Sequence, residues 1–410
     1  VVHRDHAVGV VLSGTGSDGT RGAGAINEAG GFLLAQEPEG AKFDGMPRSV
    51  ISTGLVDAVL PVDQISARIV AHLTNQPGQI PEEVVKHLQR SPVAPESAFS
   101  GILHLLSQVG GINFEEYKPG TVTRRIERRM AVRQINSLES YLALLNYDRT
   151  ELHTLRREML IPVTSFFRYA DAFETLQQQV IEPLVASRET GQTLRVWCAG
   201  VSTGEEAYSI AMLFLEAFER LKRWPLLKLF ATDVEQSNIE AASSGSYPES
   251  IMTEVSAQQL ERFFIKRGNQ CVIKSEVRQC IVFARHNLLV DPPFTKMDLV
   301  VCRNTLIYFR SAAQHRVMRR LQYALAPMGC LFLGSSESLG DLQADFQTLS
   351  ARHKIWTLIR PASLPLNLSQ SLPAAPPGMV LARRQATPGK PRQMPETAVQ
   401  QGFSVLLNAF

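Results

Sequence analysis

Residues 194–217, LRVWCAGVSTGEEAYSIAMLFLEA, set two carboxylates, Glu205 and Glu206, directly after a turn of small residues. The apolar run Leu194–Cys198 reads as a buried strand entering Ala199-Gly200-Val201-Ser202-Thr203-Gly204, and an apolar periodic helix follows. Small residues let backbone N–H groups approach a ligand at the helix N-terminus. The acids favour a cationic or polyhydroxyl ligand over a phosphate, and the Lys of a nucleotide phosphate loop is absent. Downstream, LLKLFATDVEQSN reads as the next strand and ends in Asp233, where an α/β nucleotide fold grips ribose hydroxyls. Glu205 and Asp233 together point to an S-adenosylmethionine site. The alternative is an ordinary strand–turn–helix of a parallel sheet, whose acids cap the helix.

The elements that must position these residues occupy a chain of 410 residues, long enough for two or three domains. A net charge of +3 is too near neutral to argue for nucleic acid globally. The five cysteines show no metal-ligand spacing, and Cys198, Cys302 and Cys330 lie in apolar runs, as small buried residues do in a reducing, cytoplasmic setting. No metal is expected. No apolar stretch reaches the ~18–20 residues of a membrane span, and no signal peptide is visible. The chain opens on Val and enters a strand almost at once, so it is expected to be a piece of a longer protein.

Two Pro-rich seams divide it. They suggest a short α/β unit at 1–73, a linker at 74–97, a helical segment at 98–160 and an alternating α/β segment at 161–360. A disordered linker and the start of a further domain would fill 361–410.

In the first unit, AVGVVLSGTGSDGTRGAGAINEAGG carries a GxGxxG match at Gly14, Gly16 and Gly19 between a strand and a helix. It also carries Asp18 at the strand-to-helix turn, and FDGMPRSVISTG follows at 43–54. These residues resemble the C-terminal part of the chemotaxis receptor methylesterase (CheB-type) catalytic domain. By that resemblance Asp18 is the acid of a Ser-His-Asp triad, with Met46 and Pro47 lining the same cleft. Its Ser and His belong upstream in the family. Only His3 and His6 precede Asp18 here, outside the family's motif context, so this unit is expected to be an incomplete methylesterase without hydrolytic activity.

In TVTRRIERRMAVRQ, residues 121–134, a helical turn of about 100° per residue gathers Arg124, Arg125, Arg128, Arg129 and Arg133 on one continuous face. Ile126 and Met130 lie beside it and can dock on a core. Five arginines repel one another, so an acidic partner is expected. No aromatic interleaving supports nucleic acid. A solvated face is the plainer alternative.

Four motifs then align in order: PVTSFFRYADAF (162–173), RVWCAGVSTGEEAYS (195–209), LFATDV (229–234), and FARHNLL (283–289) with FTKMDLVVCRNTLIYF (294–309). LAPMGCLFLGSSESL (325–339) closes the sheet. Over about 97–360 the chain closely resembles the chemotaxis receptor methyltransferase (CheR-type) family. The resemblance implies a helical receptor-recognition domain and a class I S-adenosylmethionine methyltransferase sheet of Rossmann-like α/β type, with a small antiparallel insertion at about 260–285. It implies methyl transfer from S-adenosylmethionine to glutamate side chains of a chemotaxis-type receptor. The cofactor contacts it implies are Thr164, Arg168, Glu205, Asp233, Asn287, Leu288, Arg303, Asn304 and Thr305. The catalytic residues would be Tyr308, which matches a tyrosine near the transferred methyl, and Arg168, which can hold the incoming carboxylate by a charge-assisted bond. Pro162 stands where the family often has Asn. The arginine face would meet the acidic methylation region of the receptor, peripheral to the membrane and without insertion. A non-catalytic scaffold and an RNA methyltransferase are the rival readings. The second lacks an NPPY-type base-holding motif; DPPF at 291–294 is only an echo of one.

Overall fold

The strand-like runs between 193 and 358 form a seven-stranded sheet in a computed structural model that describes residues 7–16, 18–28, 31–52, 55–73, 95–160 and 164–361. Its strands are β4 (Thr193–Ala199), β5 (Leu226–Asp233), β9 (Ile281–Arg285), β10 (Met297–Cys302), β11 (Leu325–Leu333), β12 (Phe346–Ser350) and β13 (Ile355–Leu358). Their order is β12-β13-β11-β10-β4-β5-β9. The five strands from β11 to the β9 edge run parallel, and β13 is antiparallel to both of its neighbours. The chain leaves β4 toward β5 and β9, then crosses to β10 and β11. The order therefore reverses between β4 and β10, the crevice where open α/β sheets bind ligands.

Both faces of the sheet are covered, so its strands are nearly continuous apolar runs. Along β10, Leu299 and Val301 join one core while Val300 and Cys302 join the other. Helix α10 (Glu205–Leu221) packs on the first face. Helix α14 (Ser311–Ala324) and the helical domain cover the second.

That helical domain comprises α4 (Pro95–Gly110), α5 (Pro119–Arg133), α6 (Leu138–Tyr147) and α7 (Arg149–Met159). Ser137 and Asp148 cap α6 and α7 through their side chains. The segment before α5 is pinned beside the β10 loop. Lys118 N–H donates to the Tyr308 carbonyl at 2.8 Å, and Arg310 N–H donates to the Glu116 carbonyl at 2.9 Å. The rings of Tyr117 and Phe309 meet edge-on, 5.0 Å apart.

The N-terminal unit is a parallel sheet of β1 (Val8–Val11), β2 (Phe32–Gln36) and β3 (Ala58–Leu60). Helices α1 (Thr20–Glu28) and α2 (Gly45–Ser52) lie on one side and α3 (Val62–Leu73) on the other.

The antiparallel insertion has two of its strands within the expected 260–285, but it begins before that range and stops short of its end. Its strands are β6 (Ser246–Pro248), β7 (Phe264–Arg267) and β8 (Gln270–Ile273), in the order β6-β8-β7. Ile281–Arg285 belongs instead to the main sheet as its parallel edge. Local strand propensity does not say which sheet a strand joins; here the short Ser275–Arg278 helix redirects the chain.

The arginine helix departs most from expectation. Arg125, Arg128 and Arg129 are buried rather than turned outward to a receptor. Arg129 forks onto Glu151, with Nε–Oε1 at 2.9 Å and Nη2–Oε2 at 2.7 Å, and reaches Glu158 at 3.0 Å. Arg128 bonds Glu158 at 3.0 Å and Asp57 of the N-terminal unit at 2.6 Å. Tyr141 Oη also donates to Glu151. Of the five arginines, Arg124 and Arg133 stay exposed, and Arg133 bonds Asp148 at 3.2 Å. The acidic partner demanded by the helix is largely inside the chain. It comes from α7 and from the loop before β3, too distant in sequence for local spacing to reveal.

Two tests follow from the buried carboxylates. Arg129→Ala leaves Glu151 buried without its guanidinium fork, while Glu158 keeps Arg128, and should cost about 3–5 kcal/mol in urea unfolding. The second concerns Glu337, whose side chain accepts four backbone N–H groups, from Gly334 (2.6 Å), Asn304 (3.1 Å), Thr305 (3.0 Å) and Leu306 (2.8 Å). Glu337→Gln turns an amide NH2 toward two of these donors and should lose about 1–3 kcal/mol by the same measurement.

Candidate active site

The C-terminal ends of β4, β5, β9 and β10 deliver four loops to one cleft at the crevice between β4 and β10. After β4, Gly200 (φ +76°) approaches the β10 loop closely: a Cβ there would lie 2.3 Å from Thr305 Oγ1. Only glycine allows both this conformation and this approach. Ser202, also left-handed, donates its N–H to Asp233 Oδ2 at 2.9 Å. Gly204 (φ +98°) then starts α10 and sets its phase.

That phase separates the two adjacent glutamates and turns Glu205, the expected cofactor contact, away from this cleft. Glu206, not Glu205, lines the cleft. Its Oε2 accepts from Arg303 Nη1 at 3.1 Å, while its Oε1 is buried without a hydrogen-bond partner among the described residues. Burial raises its pKa against the pull of Arg303. Glu205 faces a neighbouring cavity and accepts from Thr203 Oγ1 at 2.8 Å. Burial pushes its carboxyl up to about 7. A helix rotates about 100° per residue, so neighbouring positions cannot share a direction. The GEE spacing alone left that choice open.

Asp233 ends β5 as expected and lines the cleft. Besides Ser202, it accepts from Glu235 N–H at 2.9 Å and Asn238 Nδ2 at 3.2 Å. Burial raises its pKa, and these three donors oppose the rise. The β9 loop brings His286, Asn287 and Leu288 to the far end of the cleft. Asn287 Oδ1 accepts from Leu289 N–H at 3.0 Å, which fixes the loop. His286 stands edge-on to Trp197 and beside Phe294, giving that end flat apolar walls.

After β10, Arg303, Asn304 and Thr305 line the near end. Arg303 is mainly a brace. Its buried guanidinium lies 4.5 Å from the Phe332 ring centroid and 4.9 Å from that of Phe173. It also donates to the Arg168 carbonyl at 3.0 Å, so it ties Glu206 to the 164–169 loop. Asn304 takes a left-handed turn (φ +57°), and Glu337 holds the three N–H groups of 304–306. Sequence reading missed Glu337. The acid in GSSESL was visible, but nothing local connected it to CRN.

Thr164, Arg168 and Tyr308 complete the cleft. Arg168 and Tyr308 also line a groove beyond it with Thr121, Arg124, Arg125 and Ile307. The helical domain adds Tyr117 and Met159, which the motifs did not announce. Pro162 lies outside the described residues. In the N-terminal unit Asp18 is exposed on the turn before α1, and Met46 N–H donates to the Gly14 carbonyl at 2.9 Å. His3 and His6 lie outside the described residues.

The donor set suits one kind of ligand. A spare buried carboxylate oxygen on Glu206 can take an ammonium group. Asp233 retains lone pairs for hydroxyls, and the β9 loop offers flat walls for an aromatic base. Among the described residues no group of His, Cys, Asp and Glu side chains could hold a metal ion. No helix there is long and apolar enough to cross a membrane.

Three family models match the chain: CheB methylesterase over residues 1–69, the all-alpha domain of CheR methyltransferase over 97–160, and its SAM binding domain over 162–355. An uncharacterized 104.1 kDa protein of Rhodobacter capsulatus is 52% identical over 98% of this chain and 43% of its own length, so the chain spans under half of that relative. The chemotaxis protein methyltransferase of Salmonella typhimurium is 33% identical, covering 61% of this chain and 87% of that protein. That of Listeria monocytogenes is 32% identical, covering 56% and 85%. With both domains of the transferase matched in order around this cleft, the chain belongs to the chemotaxis protein methyltransferase (CheR) family and carries a methylesterase-type segment ahead of it.

Proposed function

We propose that this chain methylates glutamate side chains of chemotaxis-type receptors with S-adenosylmethionine as donor, in the cytoplasm beside membrane-borne receptors. The observation that carries this reading is one cleft joining Glu206, Asp233 and Asn287 to Arg168 and Tyr308. Glu206 would hold the cofactor's ammonium, Asp233 its ribose hydroxyls, and Asn287 with Leu288 its adenine. Bound there, S-adenosylmethionine supplies a methyl group on a positively charged sulfur.

The chain's own residues then need only to position the acceptor. A glutamate with a reference pKa of ~4.3 is already a carboxylate at neutral pH, so no general base is required. Arg168 can hold the incoming carboxylate by a charge-assisted bond, and Tyr308 limits its approach. The groove past Arg168 and Tyr308, with Arg124 exposed on its rim, offers the acceptor a basic path. Asp18 belongs to the methylesterase-type segment, for which we propose no independent hydrolysis.

The direct test is transfer of radiolabelled methyl groups to receptor cytoplasmic fragments, read as base-labile esters. Absence of label under saturating cofactor rejects the reading. Two variant sets check the residues. Glu206→Gln should weaken S-adenosylmethionine binding by about 1–2 kcal/mol in calorimetry, and Asp233→Ala by about 1–3 kcal/mol, while Glu205→Gln leaves affinity nearly unchanged. Arg168→Ala should lower turnover by at least about tenfold. Its melting temperature should stay close to the parent's, since the side chain stands at the cleft rather than in a core.

A further inference from the structure

The N-terminal unit is seated on the very helix that borders the acceptor groove. Arg125 Nη1 donates to the Asn27 carbonyl in the last turn of α1 at 3.3 Å. Arg128 donates to the Gly31 carbonyl at 3.3 Å and to Asp57 at 2.6 Å. A guanidinium at a helix C-terminus meets the negative end of the helix dipole. Beside these polar contacts, Val132 of α5 packs against the Phe32, Leu34 and Ile65 cluster.

Arg168 connects this seat to the site. It lines the groove that also contains Arg125. It lines a second cavity of about 680 Å³, walled on the other side by Thr20, Gly24, Ala25 and Leu55 of the N-terminal unit. The docked unit therefore occupies one arginine of the groove and closes one side of a second approach to Arg168.

The seat is held by contacts that can be exchanged. Asp57 is almost wholly buried, and its Oδ1 has no hydrogen-bond partner among the described residues. Burial raises its carboxyl to about 6 even against Arg128. Such a pair pays desolvation against its Coulomb gain and adds little net stability. Arg128 keeps Glu158 if Asp57 leaves, so undocking strands no cation.

We propose that the N-terminal unit is an acceptor gate of the transferase, displaced from Arg125 and Arg128 by the acidic segment that carries the target glutamate. This rests on the methyltransferase reading above. Docking and acceptor binding compete for the same guanidinium groups, so each weakens the other.

Hydrogen exchange on the whole chain tests the gate, with a synthetic Glu-rich helical peptide at low salt as acceptor mimic. Saturating peptide should speed exchange in 20–36 and 55–60 and leave β4, β5 and β10 unchanged. Asp57→Asn should bind the peptide severalfold more tightly and lower the KM for receptor fragments, with kcat and S-adenosylmethionine affinity unchanged. Unchanged or slowed exchange in 20–36 at saturation, no peptide binding, or parental affinity in Asp57→Asn overturns the gate. If that variant does not fold, the exchange response of the parent chain decides. Methyl transfer without the exchange response overturns the gate alone. The exchange response without methyl transfer overturns the transferase reading and leaves the competition standing.

Discussion

The cleft depends on one buried carboxylate. Glu337 sits past the end of β11 and gathers the N–H groups of Asn304, Thr305 and Leu306, with that of Gly334 behind them. Those N–H groups belong to the turn that leaves β10 and to the start of the short 3-10 helix Leu306–Tyr308. Without an acceptor they would be buried and unpaired, at a cost of about 1–3 kcal/mol each. With Glu337 in place the turn can lie close enough to Gly200 for only a glycine to fit. The walls contributed by β4 and β10 therefore hold each other, and the floor of the site is set before any ligand arrives. Preorganisation of this kind is what a reaction needs when positioning supplies most of its catalysis.

Carboxylates recur at each critical joint, and each is compensated differently. Asp233 is held by N–H donors from the β4 loop and from the start of the following helix. Glu206 is balanced by Arg303, itself packed against the rings of Phe173 and Phe332. Glu151 and Glu158 are neutralised by Arg128 and Arg129. Of these, Glu206 lines the cleft and keeps an oxygen with no hydrogen-bond partner among the described residues. Glu337 and Glu151, by contrast, have both oxygens engaged by partners within the fold.

The arginine helix shows how a surface reading can invert. Its spacing identified a continuous basic face and a need for acidic partners. It could not place those partners in α7 and the N-terminal unit, because Asp57 pairs with Arg128 across 71 positions and Glu158 across 30. Helical periodicity describes a direction, and tertiary packing decides what lies in that direction. The same limit applies to Glu205 and Glu206. The turn and the acids were legible, but the choice between adjacent side chains depended on where Gly204 begins the helix.

By itself, the sequence determined the parallel sheet, the order of its ligand loops, the helical domain and the family. These follow from apolar runs, glycine-marked turns and motifs contiguous in the chain, where the physics acts over a few residues. That Asp233, Asn287, Leu288, Thr305 and Arg168 line one cleft was legible because each sits at a strand end or in a contiguous motif. Only the tertiary structure decided that Glu206 enters the cleft, that Glu337 supports it, and that Ile281–Arg285 leaves the insertion for the main sheet. It also decided that three arginines turn inward. Each of these outcomes is fixed by the desolvation of a polar group, or the pairing of a strand, against a partner remote in sequence. The compensating donor, acceptor or neighbour exists only after the chain has folded.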